Sequence, residues 1–157
     1  MRSEPLALFV YGTLKRGFPN HKRFCAGVVD VLPARVPGRL YVIPEGYPIL
    51  EVPTELILRT GTADILGDVA LQARIKPVPM EADAWVRGEL LTFKDPEPRL
   101  IALDHLEDFR PGRKSLYVRV LVSVELDQAG GGWRTAWTYV HPDEPLKLTA
   151  WKSETWP

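Results

Sequence analysis

The sequence is poor in residue types on which whole classes of protein depend. Its 157 residues include one cysteine, Cys25, which excludes a scaffold held together by intrachain disulfides. With no second cysteine to pair with, this thiol is predicted to be a small buried core residue rather than a nucleophile. The three histidines, His21, His105 and His141, share no metal-ligand spacing, so no metal site is expected.

The chain also lacks an excess of charge of either sign. Lysine plus arginine number 20, aspartate plus glutamate also number 20, and the formal net charge is zero. This balance argues against a general attraction to nucleic acid or to an anionic membrane. Basic clusters occur at residues 15–23 and 110–114, but no aromatic residues alternate with them as on an RNA-binding strand. We interpret both clusters as solvated surface and expect no nucleic-acid partner.

Long apolar runs are missing as well. The run that follows the N-terminal residues is too short for a membrane-spanning helix or for the core of a signal peptide. The sequence therefore predicts a cytoplasmic protein with no membrane partner. Its length suits a single domain over residues 1–157, and nothing in the sequence indicates the oligomeric state.

Short apolar and alternating segments predict most of the secondary structure. Fifteen prolines and twelve glycines divide the chain into short pieces, which favours strands and loops over a helical bundle. The predicted strands are residues 6–10, 28–36 with an interruption at Pro33, 39–43, 49–52, 85–93, 117–126 and 133–140. The glycine-rich segment between the last two predicts a hairpin.

Short helices are predicted between the strands, at residues 21–26, within 63–71, and after Asp95. Asp95 is a favourable N-cap residue and is followed by proline. Leucines at three-residue spacing place one stripe of this last helix on the core; they are Leu100, Leu103 and Leu106. The pattern as a whole predicts an α+β domain dominated by a mixed sheet.

Two segments are expected to pack on this domain. Residues 53–83 are too short to bury a core of their own, so we interpret them as an elaboration of the domain. The tail after residue 140 carries Trp151 and Trp156, which are predicted to cover the edge of the core.

The first candidate site lies where the strand at residues 6–10 runs into Tyr11-Gly12-Thr13-Leu14 and a basic turn. Glycine allows another group to approach the main chain closely. Amide groups at the carboxyl end of a strand suit a carboxylate or a developing oxyanion. An ordinary turn is the commoner reason for a glycine in this position, and these residues alone leave both interpretations open.

The second candidate is Glu107, at the end of the helix predicted after Asp95. A helix C-terminus disfavours negative charge, and Asp108 follows directly, so one of the two carboxyls is expected to hold its proton. A carboxyl tuned in this way can act as a general base near neutral pH. The alternative is a pair of surface acids neutralised by Arg110 and Arg113, which is the commoner arrangement in proteins.

These segments resemble signatures of the gamma-glutamylcyclotransferase-like superfamily. Phe9-Val10-Tyr11-Gly12-Thr13-Leu14-Lys15-Arg16-Gly17, followed by Pro19-Asn20-His21, is similar to the Tyr-Gly-Thr-Leu-Lys-x-Gly-x-x-Asn-His pattern of its gamma-glutamylamine cyclotransferase branch. Leu103-Asp104-His105-Leu106-Glu107 with Tyr117-Val118-Arg119 is similar to its Leu-Asp-x-x-Glu … Tyr-x-Arg segment. The chain departs from the family in having Asp108 where glycine is usual, and in a longer loop before Tyr117.

The resemblance implies a small mixed β-barrel of short strands with a few short helices. It implies cyclisation of a γ-glutamyl amine or peptide to 5-oxoproline, with release of the amine, no cofactor, and Glu107 as general acid and base. Backbone N–H groups of Gly12, Thr13 and Leu14 would hold the carboxylate or oxyanion. The pocket would be lined by Tyr11, Tyr117 and Tyr139, with their hydroxyls as donors.

Two questions remain open at this point. A non-catalytic small-molecule-binding protein that keeps the γ-glutamyl pocket is the alternative, although the presence of Glu107 favours the enzyme. Each tyrosine taken singly is more commonly a core residue with one satisfied hydroxyl. The amine end of the substrate is expected near residues 53–83 or 108–116, because loops on a rigid scaffold usually set substrate choice.

Overall fold

A computed structural model describes residues 4–128, 130–142 and 148–156 of the protein. The strands are β1 (Leu6–Val10), β2 (Asp30–Pro37), β3 (Arg39–Val42), β4 (Pro48–Glu51), β5 (Arg59–Thr60), β6 (Trp85–Phe93), β7 (Val118–Leu126), β8 (Trp133–Val140) and β9 (Thr149–Ala150). The helices are α1 (Pro19–Phe24), α2 (Ile65–Arg74) and α3 (Pro96–Leu106), with a 3₁₀ turn at Thr54–Leu56. Within these residues no helix combines the length and apolar character needed to span a bilayer.

Five strands close into a barrel in the order β2-β6-β1-β8-β7, because β7 pairs back onto β2. The β1–β8 contact is parallel and the other barrel pairings are antiparallel, so the barrel is mixed, as predicted. The short β5 pairs with β7, and β4, β3 and β9 form a separate three-stranded sheet. Closure leaves few free edges on the main sheet.

The barrel strand β1 is buried on both sides. Phe9 belongs to an apolar cluster that draws side chains from all five barrel strands, whereas Leu8 belongs to a second cluster that includes Leu100 and Leu103 of α3. The predicted leucine stripe therefore does face the core, and Leu106 packs against the same cluster. Successive residues of β1 belong alternately to the two clusters, so both faces of the strand are apolar. The sequence of β1 is therefore an apolar run rather than an alternating pattern.

Two details of the predicted elements are corrected by the structure. β2 runs without a break through Pro33, whose carbonyl accepts a hydrogen bond from the Asp127 amide over 2.9 Å. The nitrogen of a strand residue points to the same side as its carbonyl, so the missing N–H of Pro33 faces the end of the β2–β7 pairing, and the β2–β6 pairing on the other side continues past it. α3 begins after Asp95 as predicted, but the Asp95 carboxylate pairs with Arg99 over 3.1 Å instead of capping the helix.

The segment at residues 53–83 contains the 3₁₀ turn, β5 and α2. The helix is capped by Asp64, whose carboxylate accepts from the Gly67 amide over 3.0 Å. Gln72 on this helix accepts from the Ala7 amide of β1 over 2.9 Å, and its carbonyl accepts from the Thr135 hydroxyl of β8 over 2.9 Å. These bonds attach α2 to two neighbouring barrel strands.

Two smaller predictions are confirmed. Cys25 is fully buried in the core cluster. Trp151 and Trp156 contact each other with ring centroids 4.7 Å apart and ring planes tilted by 50°, and both pack against the barrel cluster. The part of the tail at residues 143–147 lies outside the described residues.

Candidate active site

All seven residues predicted to form a site line one cavity of about 310 Å³. They are Tyr11, Gly12, Thr13, Leu14, Glu107, Tyr117 and Tyr139. Further lining residues come from the end of β1, from α1, from the β3–β4 turn and from the approaches to Glu107 and Tyr117; they include Asn20, Ile43, Tyr47, Pro48, Leu106 and Leu116. Tyr47 is a lining residue that the sequence did not single out.

The topology explains why these distant residues meet. β1 and β8 are parallel neighbours, so the loop after β1 lies beside Tyr139 near the end of β8. β7 is antiparallel to β8, which places Tyr117, directly before β7, at the same end of the barrel. The C-terminal end of α3 brings Glu107 to this end too.

The glycine loop, residues 11–17, is held by α1. Lys15 N donates to Gly12 O over 3.1 Å, closing a turn. Asn20 Nδ2 donates to the Thr13 hydroxyl over 2.8 Å, and His21 Nδ1 lies 2.8 Å from Leu14 O. These contacts give a structural reason for the Asn-His pair that follows the glycine loop in the sequence.

The amides of Gly12, Thr13 and Leu14 have no acceptor among the described residues. Unpaired N–H groups in succession beside a cavity form a site suited to an anion. Gly12 is not among the residues with positive φ, so its turn does not require glycine. A Cβ there would instead lie 3.2 Å from Pro48 Cγ, which makes close packing the reason for glycine at this position.

Glu107 follows the last residue of α3, with its amide bonded to Leu103 O over 2.9 Å. Burial raises the pKa of its carboxyl from 4.5 to about 7. The sequence predicted the direction of this change and attributed it to the helix end and to Asp108, whereas desolvation in the cavity wall is the cause. No cation of the described chain pairs with Glu107.

Asp108 does not share the environment of Glu107. It adopts a left-handed backbone with φ of 52°, and its exposed carboxylate lies 3.6 Å from Arg110. Asparagine and aspartate tolerate this conformation better than most residues, and glycine adopts it freely. Asp108 can therefore make the same chain reversal as the glycine that is usual in the family. Of the two acids, only Asp108 is an exposed surface acid of the kind that the alternative interpretation expected for both.

The prediction that the tyrosine hydroxyls are available as donors is wrong. Tyr11 donates to Tyr139 O over 2.8 Å, and Tyr117 donates to Pro48 O over 2.9 Å. Tyr139 donates to Asp104 Oδ1 over 2.6 Å. A phenol has one proton to donate, so toward a ligand these groups can only accept. Burial, followed by neighbouring charges that include Glu107, raises the pKa of all three hydroxyls.

A buried ionic network stands behind the cavity, and the sequence assigned it no role. Arg119 is fully buried and bonds both Asp104, over 2.9 and 3.2 Å, and Asp68, over 3.1 Å. Asp68 also accepts from the amide and hydroxyl of Thr62. The available signal was an arginine within the strictly alternating valines of β7, a position where a cation requires buried partners.

No group of metal-ligating side chains occurs among the described residues. The first cation within the glycine loop is Lys15, whose ammonium donates to Trp156 O over 2.6 Å and lies 5.3 Å from the Phe18 ring centroid. Burial lowers the pKa of this lysine. The ammonium of Lys15 therefore contacts the C-terminal segment, and Lys15 does not line the cavity.

A family model described as gamma-glutamyl cyclotransferase, AIG2-like, matches the chain over residues 8–73 and 55–157. No curated protein matches this sequence. These matched ranges include every residue that lines the cavity.

Solved structures share the fold at low sequence identity. An AIG2-like protein from Mus musculus is 22% identical with a TM-score of 0.64, over 98% of this chain and 89% of that one. The YkqA protein from Bacillus subtilis is 20% identical with a TM-score of 0.58, over 97% of this chain and 39% of that one. A protein from Arabidopsis thaliana is 19% identical with a TM-score of 0.58, over 95% and 78%.

Proposed function

Because this chain belongs to the gamma-glutamyl cyclotransferase, AIG2-like family, we propose that it cyclises the γ-glutamyl unit of a small amide to 5-oxoproline and releases an amine. Glu107 is the general acid and base of this reaction, and it works without a cofactor. The lone buried cysteine suits a reducing compartment, and we expect the enzyme to act in the cytoplasm.

One observation supports this proposal most strongly: Glu107 lines the same cavity as Gly12, Thr13 and Leu14, whose amides are unpaired among the described residues. A pKa of about 7 leaves the carboxyl divided between its two protonation states at neutral pH, as a group that must both take and return a proton requires. The amides supply an uncharged site for the substrate's α-carboxylate or for the oxyanion of the tetrahedral intermediate.

In the proposed reaction the α-amino nitrogen attacks the γ-carbonyl carbon of the same molecule. Nucleophile and electrophile are tethered, so holding them in the closed conformation supplies much of the rate enhancement. Ionised Glu107 takes a proton from the α-ammonium, a new C–N bond closes the five-membered ring, and the carbonyl oxygen becomes the oxyanion.

Collapse of this intermediate breaks the original C–N bond. Protonated Glu107 donates to the leaving nitrogen, and the amine departs. The first proton leaves the α-nitrogen before the attack and reaches the leaving nitrogen as its bond to carbon breaks, and Glu107 passes a second proton along the same path after ring closure. The α-ammonium thus becomes the amide N–H of 5-oxoproline, the amine leaves as its ammonium, and the enzyme returns to its starting state without an external acid or base.

A binding protein that keeps the same cavity is the competing function. Such a protein could use an ionised carboxylate to pair with the α-ammonium of the ligand, but that role favours a low pKa, whereas burial raises the pKa of Glu107 to about 7. The unpaired position and raised pKa of Glu107 therefore favour the enzyme.

The test is 5-oxoproline release from a panel of γ-glutamyl amines and γ-glutamyl peptides. Parent protein should release it, with kcat/KM rising toward a plateau as pH passes through about 7 and the base ionises. Glu107→Gln keeps the side-chain shape but accepts no proton, so we expect turnover to fall by about 10²-fold or more. Asp108→Asn removes the neighbouring exposed carboxylate and serves as the matched control, with activity close to the parent.

If no member of the panel is converted but γ-glutamyl compounds bind, the binding-protein function is correct. A Glu107→Gln protein that turns over at close to the parent rate would refute the assignment of the base.

A further inference from the structure

The segment at residues 53–83, which the structure describes throughout, contributes no lining residue to the cavity. Of the two segments expected near the amine end of the substrate, only residues 108–116 supply one, Leu116. The segment at 53–83 is nevertheless attached to the barrel, because Gln72 of α2 bonds Ala7 of β1 and Thr135 of β8. An anchored element outside the cavity can act on the site only through the residues that lie between them.

The residues between them form a continuous line of hydrogen bonds that ends on α3. Asp68 Oδ2 accepts from Arg119 Nη1 over 3.1 Å, and Thr62 O accepts from Arg119 Nη2 over 3.2 Å. The same guanidinium binds Asp104 of α3 through Nε and Nη2, over 2.9 and 3.2 Å. A guanidinium is planar and rigid, so a shift of Asp68 also moves the nitrogens that hold Asp104.

Asp68 and Arg119 are themselves tightly held. The two oxygens of Asp68 accept from the amide and hydroxyl of Thr62 over 2.7 and 2.8 Å. The Gly61 amide donates to Arg119 O over 2.7 Å, and a Cβ on Gly61 would lie 2.9 Å from the guanidinium carbon. Gly61 is not among the residues with positive φ, so close approach to Arg119 is the reason for glycine at this position.

This network bears on Glu107 because Asp104 lies one helical turn before it on α3. The Glu107 carboxyl has no partner among the described side chains, so its place in the cavity depends on where the end of the helix is held. Apolar packing could join α2 to α3 without burying three charges, and a buried ion pair is weak evidence for stability. Directional bonds between rigid groups instead fix a geometry, and a general base depends on its geometry.

We propose that Gly61 and Asp68 are positioning residues for Glu107. They act on it through Arg119 and Asp104, and none of these four residues lines the cavity. This inference rests on the proposed function, since it concerns the base of that reaction. Disturbing the network lets the end of α3 shift, which moves the carboxyl away from the reacting nitrogens and exposes it to water. A displacement of about 1 Å can lower a rate by about 10²-fold.

Asp68→Asn is the principal variant. It keeps the side-chain volume and an oxygen that can accept from Arg119, but it removes the charge that holds the guanidinium. We expect kcat for 5-oxoproline release to fall by about 10-fold or more, with little change in KM. Asp64→Ala is the matched control, because it also destabilises α2 by removing the N-cap bond to Gly67 but does not touch the network. Its kcat should stay close to that of the parent.

The acidity of Glu107 provides a readout that a merely structural role would not change. Three titratable groups face it, and all are neutral near pH 7 because burial raises their pKa; they are the hydroxyls of Tyr11, Tyr117 and Tyr139. Burial holds the Glu107 pKa at about 7, so contact with water should lower it toward 4.5. We expect an NMR titration of this carboxyl, and the midpoint of the kcat/KM profile against pH, to shift downward in Asp68→Asn. Both should match the parent in Asp64→Ala.

Two further variants test the route. Gly61→Ala displaces the guanidinium of Arg119 without removing a charge, so kcat and the Glu107 pKa should change in the same direction as in Asp68→Asn, but less. It also provides the test if Asp68→Asn folds poorly. Adding Asp68→Asn to Glu107→Gln should lower the residual turnover no further, because two residues that act through one step do not give additive losses.

The outcomes separate this inference from the proposed function. Equal kcat and equal Glu107 pKa in Asp68→Asn and Asp64→Ala would overturn the inference and leave the cyclotransferase function intact. A full additional loss in the double variant would also overturn it, since Asp68 would then act by another route. If the parent releases no 5-oxoproline from the whole panel, the proposed function fails. The NMR titration needs no substrate, and it would still decide whether the network positions Glu107.

Discussion

The hydroxyl of Tyr139 donates a 2.6 Å hydrogen bond to Asp104, which lies one helical turn before Glu107 on α3. The same carboxylate is paired with Arg119 of β7. One buried carboxylate thus joins a tyrosine of the cavity wall to the helix that presents the proposed base. The position of Glu107 is therefore determined by contacts behind it, since its own carboxyl has no partner among the described side chains.

Tyr139→Phe tests this link. Loss of the hydroxyl removes one of the two hydrogen bonds that Asp104 Oδ1 accepts, the other coming from Arg119 Nε, and a hydrogen bond to a charged group is worth about 1–2 kcal/mol of unfolding free energy. Turnover should fall as well, because the end of α3 is held less firmly. Tyr41→Phe is the control, since no described residue bonds that hydroxyl; equal stability losses in the two variants, measured by urea unfolding, would contradict the link.

Arg119→Met should be among the most destabilising single substitutions in this chain. It leaves Asp68, which is 2% exposed, and Asp104 without their cation, and breaking a buried ion pair in this way costs about 3–5 kcal/mol. Arg87→Met removes an arginine that also bonds two acids, Asp127 and Glu154, but at the surface, so its cost should be at most ~1 kcal/mol. Similar denaturation midpoints for both variants would show that Arg119 has no special structural role.

The raised pKa of Glu107 predicts a pH dependence of stability. Below pH 4.5 the carboxyl is protonated in both states, and the folded protein has its full stability. Between 4.5 and about 7 the unfolded chain loses the proton first, so the free energy of unfolding decreases as pH rises, by up to ~3 kcal/mol in total. Glu107→Gln lacks this loss, and its advantage over the parent should therefore grow from pH 4.5 to pH 8. A difference independent of pH would mean that the carboxyl is not buried.

Gly12→Ala should impair activity more than folding. The backbone at Gly12 is accessible to alanine, and the added Cβ would press on Pro48 Cγ at 3.2 Å, beside the amides proposed to hold the substrate. We expect about a 10-fold loss of kcat/KM or more, with a change of about 1 kcal/mol in unfolding free energy. Gly88→Ala is the contrasting case, since its Cβ would overlap the Val10 carbonyl oxygen and should prevent folding. Parent-like activity in Gly12→Ala would show that the glycine loop does not contact the substrate.

Local patterns in the sequence were sufficient for the main elements. β1, β6 and β8 have the predicted bounds, and α3 begins at the proline after Asp95, because apolar periodicity and proline placement act over a few residues. The glycine loop and Glu107 were found in the same way, as short motifs with a stated chemistry. The treatment of residues 1–157 as one domain stays a prediction.

The remaining features depended on contacts between residues far apart in the chain. Tyr11 donates to a carbonyl 128 positions away and Arg119 bonds an acid 51 positions away, so no local pattern could show that the tyrosine hydroxyls were occupied or that the arginine was buried. The pKa of Glu107 follows from burial in a cavity that exists only once the barrel closes. Tyr47 is a lining residue because the turn between β3 and β4 lies against this cavity, far in sequence from Glu107. The sequence by itself determined which groups are present, and the tertiary structure decided their solvation and partners, because both depend on which distant strands become neighbours.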